Sequence, residues 1–268
     1  MQLSEAAGLA DVFVFRLMFR VYEVPRTLAG HLESGPAGAP AGAFHESKRL
    51  LRTFAVRRHH LKRRRGGKAA KRTRYLLVSA LAVDSGAGAC AELGAGGCGI
   101  YGRRPLACRT LPFHYSRPEA SAERDLEAFV ARPGHGCDTG AAAPVVLAEG
   151  RIVDPEAVRM REAALRMRDE DSLWHEAILA RLKTGFGASL PSLGEIDANA
   201  ALGATTTSMR VAWQIAAEAG LIAADECRAL VAAQAELVDR ALAGGGGSPD
   251  STETLAQMRV EYRNWLNG

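Results

Sequence analysis

Between positions 86 and 108 glycine recurs at Gly86, Gly88, Gly94, Gly96, Gly97, Gly99 and Gly102. Glycine loses more conformational freedom on folding than any other residue and contributes no side chain to a core. That segment therefore cannot hold a helix or strand for long, and burial alone is a poor means of ordering it. Cys90, Cys98 and Cys108 lie in it, and Cys137 follows in similarly punctuated chain. Gly97 and Gly99 flank Cys98, Pro105 precedes Cys108 and Gly136 precedes Cys137. Such loops let the backbone turn inward and let amides approach sulfur.

The rest of the chain is more regular. Residues 4–21 are apolar on nearly every side, with Arg16 and Arg20 as interruptions and Ser4 as a suitable N-cap, which predicts a buried helix ending before Pro25. Residues 35–43 read as a flexible loop and residues 45–56 as a second helix. Tyr75–Val83 reads as a buried strand, residues 121–131 as a short helix, and residues 145–153 as a small hairpin. Asp154 and Pro155 then supply an N-cap and a first helical position for a helix to about Lys183. Further helices are expected over 208–219, 224–243 and 252–265, with Gly244–Ser248 as a flexible joint before the last. The expected class is α+β, mainly α-helical: an irregular cysteine-rich region with a small β element, and a helical C-terminal half. The expected division is residues 1–153, holding the cysteines, the N-terminal helices and a basic segment, and residues 154–268.

The 268 residues suffice to bury a core, and a hydrophobic fraction of 47% excludes a mainly disordered chain. No apolar run approaches the roughly 18–20 residues that span a bilayer, and the N-terminus lacks the pattern of a signal peptide. A cytoplasmic protein with no membrane association is the expectation. Of the 34 basic residues 29 are Arg, which together with the abundance of Ala fits a GC-rich genome. Residues 57–74 hold 10 Lys or Arg and no acid, while the whole chain carries a net charge of only +4. Such a block can contact a polyanion by counterion release. No nucleic-acid reading motif accompanies it, so a solvated surface is expected, nucleic acid is not the expected partner, and His59 and His60 are expected in solvent.

Five cysteines is an odd number, which argues against a closed disulfide set. Cys227 belongs to the apolar stripe of Leu230, Val231, Leu237, Val238 and Ala241, interrupted by Gln234, and is expected to fill core space. The other four match the complement of a tetrahedral zinc or a cubane iron–sulfur cluster. Their separations of 8, 10 and 29 residues include no Cys-x-x-Cys knuckle, so spacing alone leaves ligation and unrelated thiols both open. Arg103, Arg104 and Arg109 would lower thiol pKa values and offset thiolate charge. His114 and His135 are the first substitutes for a thiolate.

The run Cys90-Ala-Glu-Leu, then Cys98-Gly-Ile-Tyr-Gly-Arg-Arg-Pro-Leu-Ala-Cys108-Arg-Thr-Leu-Pro-Phe113, resembles the signature of the YkgJ family of zinc- or iron-chelating cysteine-cluster proteins. Cys137 falls where that family has a distal cysteine after a short helix. The resemblance implies Cys90, Cys98, Cys108 and Cys137 as metal ligands, holding a 4Fe-4S cluster or zinc. Leu3-Ser4-Glu5-Ala6-Ala7 matches a family helix that ordinarily follows a further cysteine motif. Either a misplaced start codon removes that motif here, or this member uses four thiols. One branch of the family is associated with flagellin lysine methylation.

Other signals are weaker. Val83–Gly88 imitates the glycine loop of a Rossmann-type nucleotide site, but the glycines and proline that follow leave no room for the helix such a loop needs. Core packing and surface hydration account for Trp174, His175 and Glu176. The expected role is therefore metal-centre binding, mainly structural or redox. The alternatives are a protein-modifying enzyme resembling a lysine N-methylase, which predicts S-adenosylmethionine binding, and a polyanion-binding module using residues 57–74. A protein partner is compatible with each.

Overall fold

The computed structural model describes residues 1–25, 58–59, 64–65, 68–69, 72–83, 90, 92–110, 113, 119, 122–133, 138, 140–184, 189–245 and 249–268. The helix expected over 45–56 and the loop over 35–43 lie outside the described residues. The chain is mainly helical α+β, as its sequence predicts.

The N-terminal segment departs from expectation. Helix α1 is short, Leu3–Ala7, with Gln2 rather than Ser4 at its N-cap. The chain then enters strand β1, Phe15–Pro25. Phe15, Leu17 and Phe19 are buried, whereas Met18 is half-buried and Arg20 exposed. That period of two is a strand's. The four-residue spacing of Arg16 and Arg20 imitates a helix face, but both also occupy alternate strand positions. The aromatic and β-branched content of Phe13 to Val24 favours the pleated state.

Short strands β2 (Arg58–His59), β3 (Arg64–Arg65) and β4 (Lys68–Ala69) lie within the basic segment, ahead of the long strand β5, Arg72–Ala82. Strand β5 contains the expected run from Tyr75. It pairs antiparallel with β1, setting Leu17 opposite Ala80, Phe19 opposite Val78 and Val21 opposite Leu76. Strand β2 covers the far side of β5. Parts of the basic segment thus belong to paired strands.

Two small hairpins follow: β6 (Leu93–Gly94) with β7 (Gly97–Cys98), and β8 (Leu147–Ala148) with β9 (Arg151–Ile152). Between them lie the one-turn helix α2, Leu106–Arg109, and helix α3, Ala122–Val130. Helix α4 runs Pro155–Thr184, about 45 Å at 1.5 Å per residue. As expected it opens at Asp154, whose Oδ2 accepts from the Ala157 amide at 2.7 Å.

The region beyond 154 is not wholly helical. Helix α5 (Leu193–Asn199) starts with a capping box in which the Ser192 hydroxyl accepts from the Glu195 amide. Strand β10, Ala204–Ser208, then adds to the free edge of β1, giving the sheet order β10-β1-β5-β2. Helices α6 (Met209–Glu218), α7 (Ala224–Ala243) and α8 (Pro249–Asn267) complete the chain. Among the described residues no helix is long and apolar enough to cross a membrane.

The main core joins Leu3, Phe15, Leu17, Phe19 and Val78 to Trp174, Ile178, Trp213, Val231, Val238 and Tyr262. It draws on both sides of position 153. Cys227 lies in it, 2% exposed, as its place on an apolar stripe predicts. Gln234, the polar interruption of that stripe, is fully buried. Its Oε1 accepts from the Phe15 amide at 2.8 Å, and its Nε2 donates to the Ala10 and Phe13 carbonyls at 2.6 and 2.7 Å. One side chain therefore satisfies three backbone groups just where the chain enters β1. A second, smaller core of Phe113, Ala122, Ile152, Met160 and Ala164 lies beneath the cysteine-bearing segment. Helix α4 spans both, with Met160 and Ala164 in the small core and Trp174 to Leu182 in the large one.

Candidate metal centre

Three of the four expected cysteines are described, and each is held by a different local device. Cys90 is exposed, and its carbonyl accepts from the Leu93 amide at 3.0 Å, closing a turn into the first hairpin. Cys98 ends that hairpin, directly opposite Leu93. The tight return between Gly94 and Gly97 requires φ +100° at Gly97, a left-handed conformation that a side chain would strain. Beyond it the Gly99 amide donates to the Glu92 carbonyl at 2.8 Å. Cys108 sits in α2, its amide donating to the Pro105 carbonyl at 2.8 Å.

These three thiols share one electrostatic neighbourhood. Burial pushes the Cys108 thiol above its ordinary value, and the charges of Cys90, Cys98 and Glu5 push it the same way, while Arg104 opposes them. Arg104 thus acts in the expected direction at Cys108, but burial outweighs it and the net shift is upward. Arg104 alone among the three arginines figures in its balance, and its guanidinium also lies 3.6 Å over the Tyr101 ring. Arg103 is turned away, bridging Asp11 at 2.7 Å and the Gly8 carbonyl at 3.1 Å. Arg109 reaches the Met160 sulfur at 3.3 Å. In effect Arg103 and Arg109 fasten the segment to its two neighbours, one to the N-terminal turn and one to α4.

Glu5 forms a third fastening. Its Oε1 accepts from the Leu106 amide, the first amide of the helix that carries Cys108. Burial raises the Glu5 carboxyl, and this amide pulls it back down. A carboxylate three residues after Gln2 thereby fixes a thiol more than a hundred residues away in sequence, a tie that no sequence pattern announces.

Among the described residues no three His, Cys, Asp or Glu side chains are arranged as a metal-ready group. Cys137, His114 and His135 lie outside the described residues, as does most of the glycine loop at 84–89. Chemically, the donor set of Cys90, Cys98 and Cys108 suits soft or borderline metals. Binding would have to displace the thiol protons, including the one that burial strengthens at Cys108.

A second polar group of α4 escaped the sequence reading. Asp171 and His175 are buried, at 0% and 2% exposure, so surface hydration does not account for His175. The His175 Nε2 lies 2.8 Å from the Val78 carbonyl and 3.2 Å from Asp171 Oδ2. Asp171 Oδ1 accepts from both the amide and the hydroxyl of Ser4, at 2.8 and 3.1 Å. Burial raises the Asp171 carboxyl and lowers the His175 imidazole. The signal was an i,i+4 acid–histidine pair on the core-facing stripe of a long helix. Since Ser4 and Glu5 are adjacent, α1 is tied to α4 through one residue and to the Cys108 helix through the next.

No protein-family model, curated protein or solved structure matches the chain.

Proposed function

We propose that the protein is a metal-binding protein in which Cys90, Cys98, Cys108 and Cys137 hold an iron–sulfur cluster or a zinc ion. The observation that carries this reading is that Cys90, Cys98 and Cys108, 18 residues apart from first to last, lie at a turn, a hairpin end and a one-turn helix of one short segment tied to the N-terminal turn by Glu5 and Arg103. The resemblance of residues 90–113 to the YkgJ signature supports the same set and adds Cys137. The centre's role is structural: bound metal supplies a cross-link whose binding free energy becomes folding free energy for a segment with little to bury. Gly97 gives the turn that presents Cys98, Glu5 fixes the start of the Cys108 helix, and Arg104 offsets part of the thiolate charge. We place the protein in the cytoplasm, where free thiols stay reduced.

The test is anaerobic purification followed by metal and sulfide analysis and visible absorption. A broad brown absorption with iron and acid-labile sulfide identifies a cluster, and colourless protein with one zinc identifies the tetrahedral site. Metal-free protein under anaerobic, metal-replete expression refutes the proposal.

A further inference from the structure

A separate polar corner lies at the start of α6, in the main body of the fold. Strand β10 ends at Ser208, which is also the N-cap of this ten-residue helix. The Ser208 side chain makes no capping hydrogen bond, and the first turn of α6 carries no acid. The first amides of a helix have no intrahelical acceptor and mark the positive end of its dipole. Arg16 is the register partner of Ser208 across the β1–β10 ladder, so the sheet brings its side chain to the same place. From α8 comes Tyr262, fully buried, its hydroxyl set against Ser208.

Ser208 and Tyr262 face each other, and among the described residues nothing else approaches their hydroxyls to bond them. Arg16 Nε, Ser208 Oγ and the Tyr262 hydroxyl are all buried without a hydrogen bond of acceptable geometry. Among the described residues Arg16 makes a long hydrogen bond, 3.4 Å from Nη2 to the Thr206 carbonyl. Arg210, the neighbouring cation, is already matched by Glu261 at 2.8 Å and by Gln214 at 2.7 Å. The corner therefore holds one positive charge in excess. Burial pulls the Arg16 guanidinium below its ordinary value, with Tyr262 and Glu261 acting in the opposite direction. A water could satisfy the hydroxyls but would leave the charge of Arg16 uncompensated.

We infer that the corner formed by Arg16, Ser208, Tyr262 and the N-terminus of α6 binds a small tetrahedral oxyanion, a phosphate group. Its donors come from a strand, a helix start and a second helix, three directions that suit the three free oxygens of a phosphate better than the two of a carboxylate. Arg16 is half-buried, between Tyr262 in the core and the exposed Arg20 further along β1.

Calorimetric titration of the full chain with inorganic phosphate, against sodium chloride at equal ionic strength, tests the inference. One saturable site per chain is expected. Ser208→Ala and Tyr262→Phe should each weaken binding on the order of tenfold, and Arg16→Gln should abolish saturation. Arg166→Gln, at an exposed pair on α4, should leave it unchanged. Competition by phenyl phosphate would show that the site accepts a phosphomonoester; binding of inorganic phosphate alone would restrict it to the free ion. Absence of saturable binding, or equal binding by Arg16→Gln and Ser208→Ala, overturns the inference. If Tyr262→Phe fails to fold, those two variants decide it.

Discussion

The two cores are built on different terms. The main core closes over side chains that are almost wholly buried, including Phe15, Leu17, Val211, Trp213 and Tyr262, on a four-stranded sheet whose central strands are eleven residues each. The cysteine corner rests on the five buried residues of the small core, two-residue strands and a four-residue helix. The first is held by burial, which is non-directional and grows with area. The second is held by discrete ties: Glu5 to the Leu106 amide, Arg103 to Asp11, and Arg109 to Met160. A region of that kind gains most from a further cross-link, and its thiols are the groups able to supply one.

The comparison can be broken first at its strongest point. Trp213→Ala in the main core should cost about 4 kcal/mol, lowering the whole unfolding midpoint in urea. Phe113→Ala in the small core should leave that midpoint nearly unchanged while raising amide exchange over residues 92–110. Equal effects on the global midpoint would show that the two cores unfold as one unit.

Next comes Gln234→Leu, which leaves the Phe15 amide and the Ala10 and Phe13 carbonyls without their partner. A loss of about 3 kcal/mol in urea unfolding is expected, despite the gain in apolar volume. Glu5 sharpens the contrast at smaller scale. Glu5→Ala should cost about 1 kcal/mol of local stability and speed amide exchange at Leu106 and through α2. Glu5→Gln retains an acceptor for the Leu106 amide and should keep that exchange slow.

The smallest expected effect is a pH dependence. His175 has a lowered folded pKa, so its contribution to stability is present above the unfolded value of about 6.5 and is lost as pH falls from there. Asp171 has a raised folded pKa, so its contribution is present at low pH and is lost as pH rises through that raised value. On acidification the two oppose each other. Asp171→Asn removes the compensating half, so urea midpoints measured at pH 7.5 and 5.5 should differ more in this variant than in the wild type. An unchanged difference would show that His175 does not titrate in this window.

What the sequence disclosed follows from how local each signal was. The helix from Pro155 announced itself through Asp154, and the strand from Tyr75 through an apolar run. The segment ending in β1 misled because its apolar residues lie on all sides, leaving two arginines to suggest a period. Its true state depends on partners as far off as Ser208. Two further elements carry local signals of their own. Thr205, Thr206 and Thr207 are a β-branched run, now in β10, and Ser192 with Glu195 is a capping-box signature for α5. At the candidate site the thiols were legible as residue types, and Cys227 was separable by its helical stripe. The ties through Glu5, Asp171 and Gln234 were not legible, since each joins segments that only the fold brings together.

The most direct measurement is the metal content per chain of anaerobically purified protein, compared between the wild type, Cys98→Ser and Cys227→Ser. Near-stoichiometric zinc, or iron with sulfide, in the wild type and Cys227→Ser but not in Cys98→Ser is the predicted result. A wild-type chain that carries no metal, or a Cys98→Ser chain that retains it in full, would contradict the account.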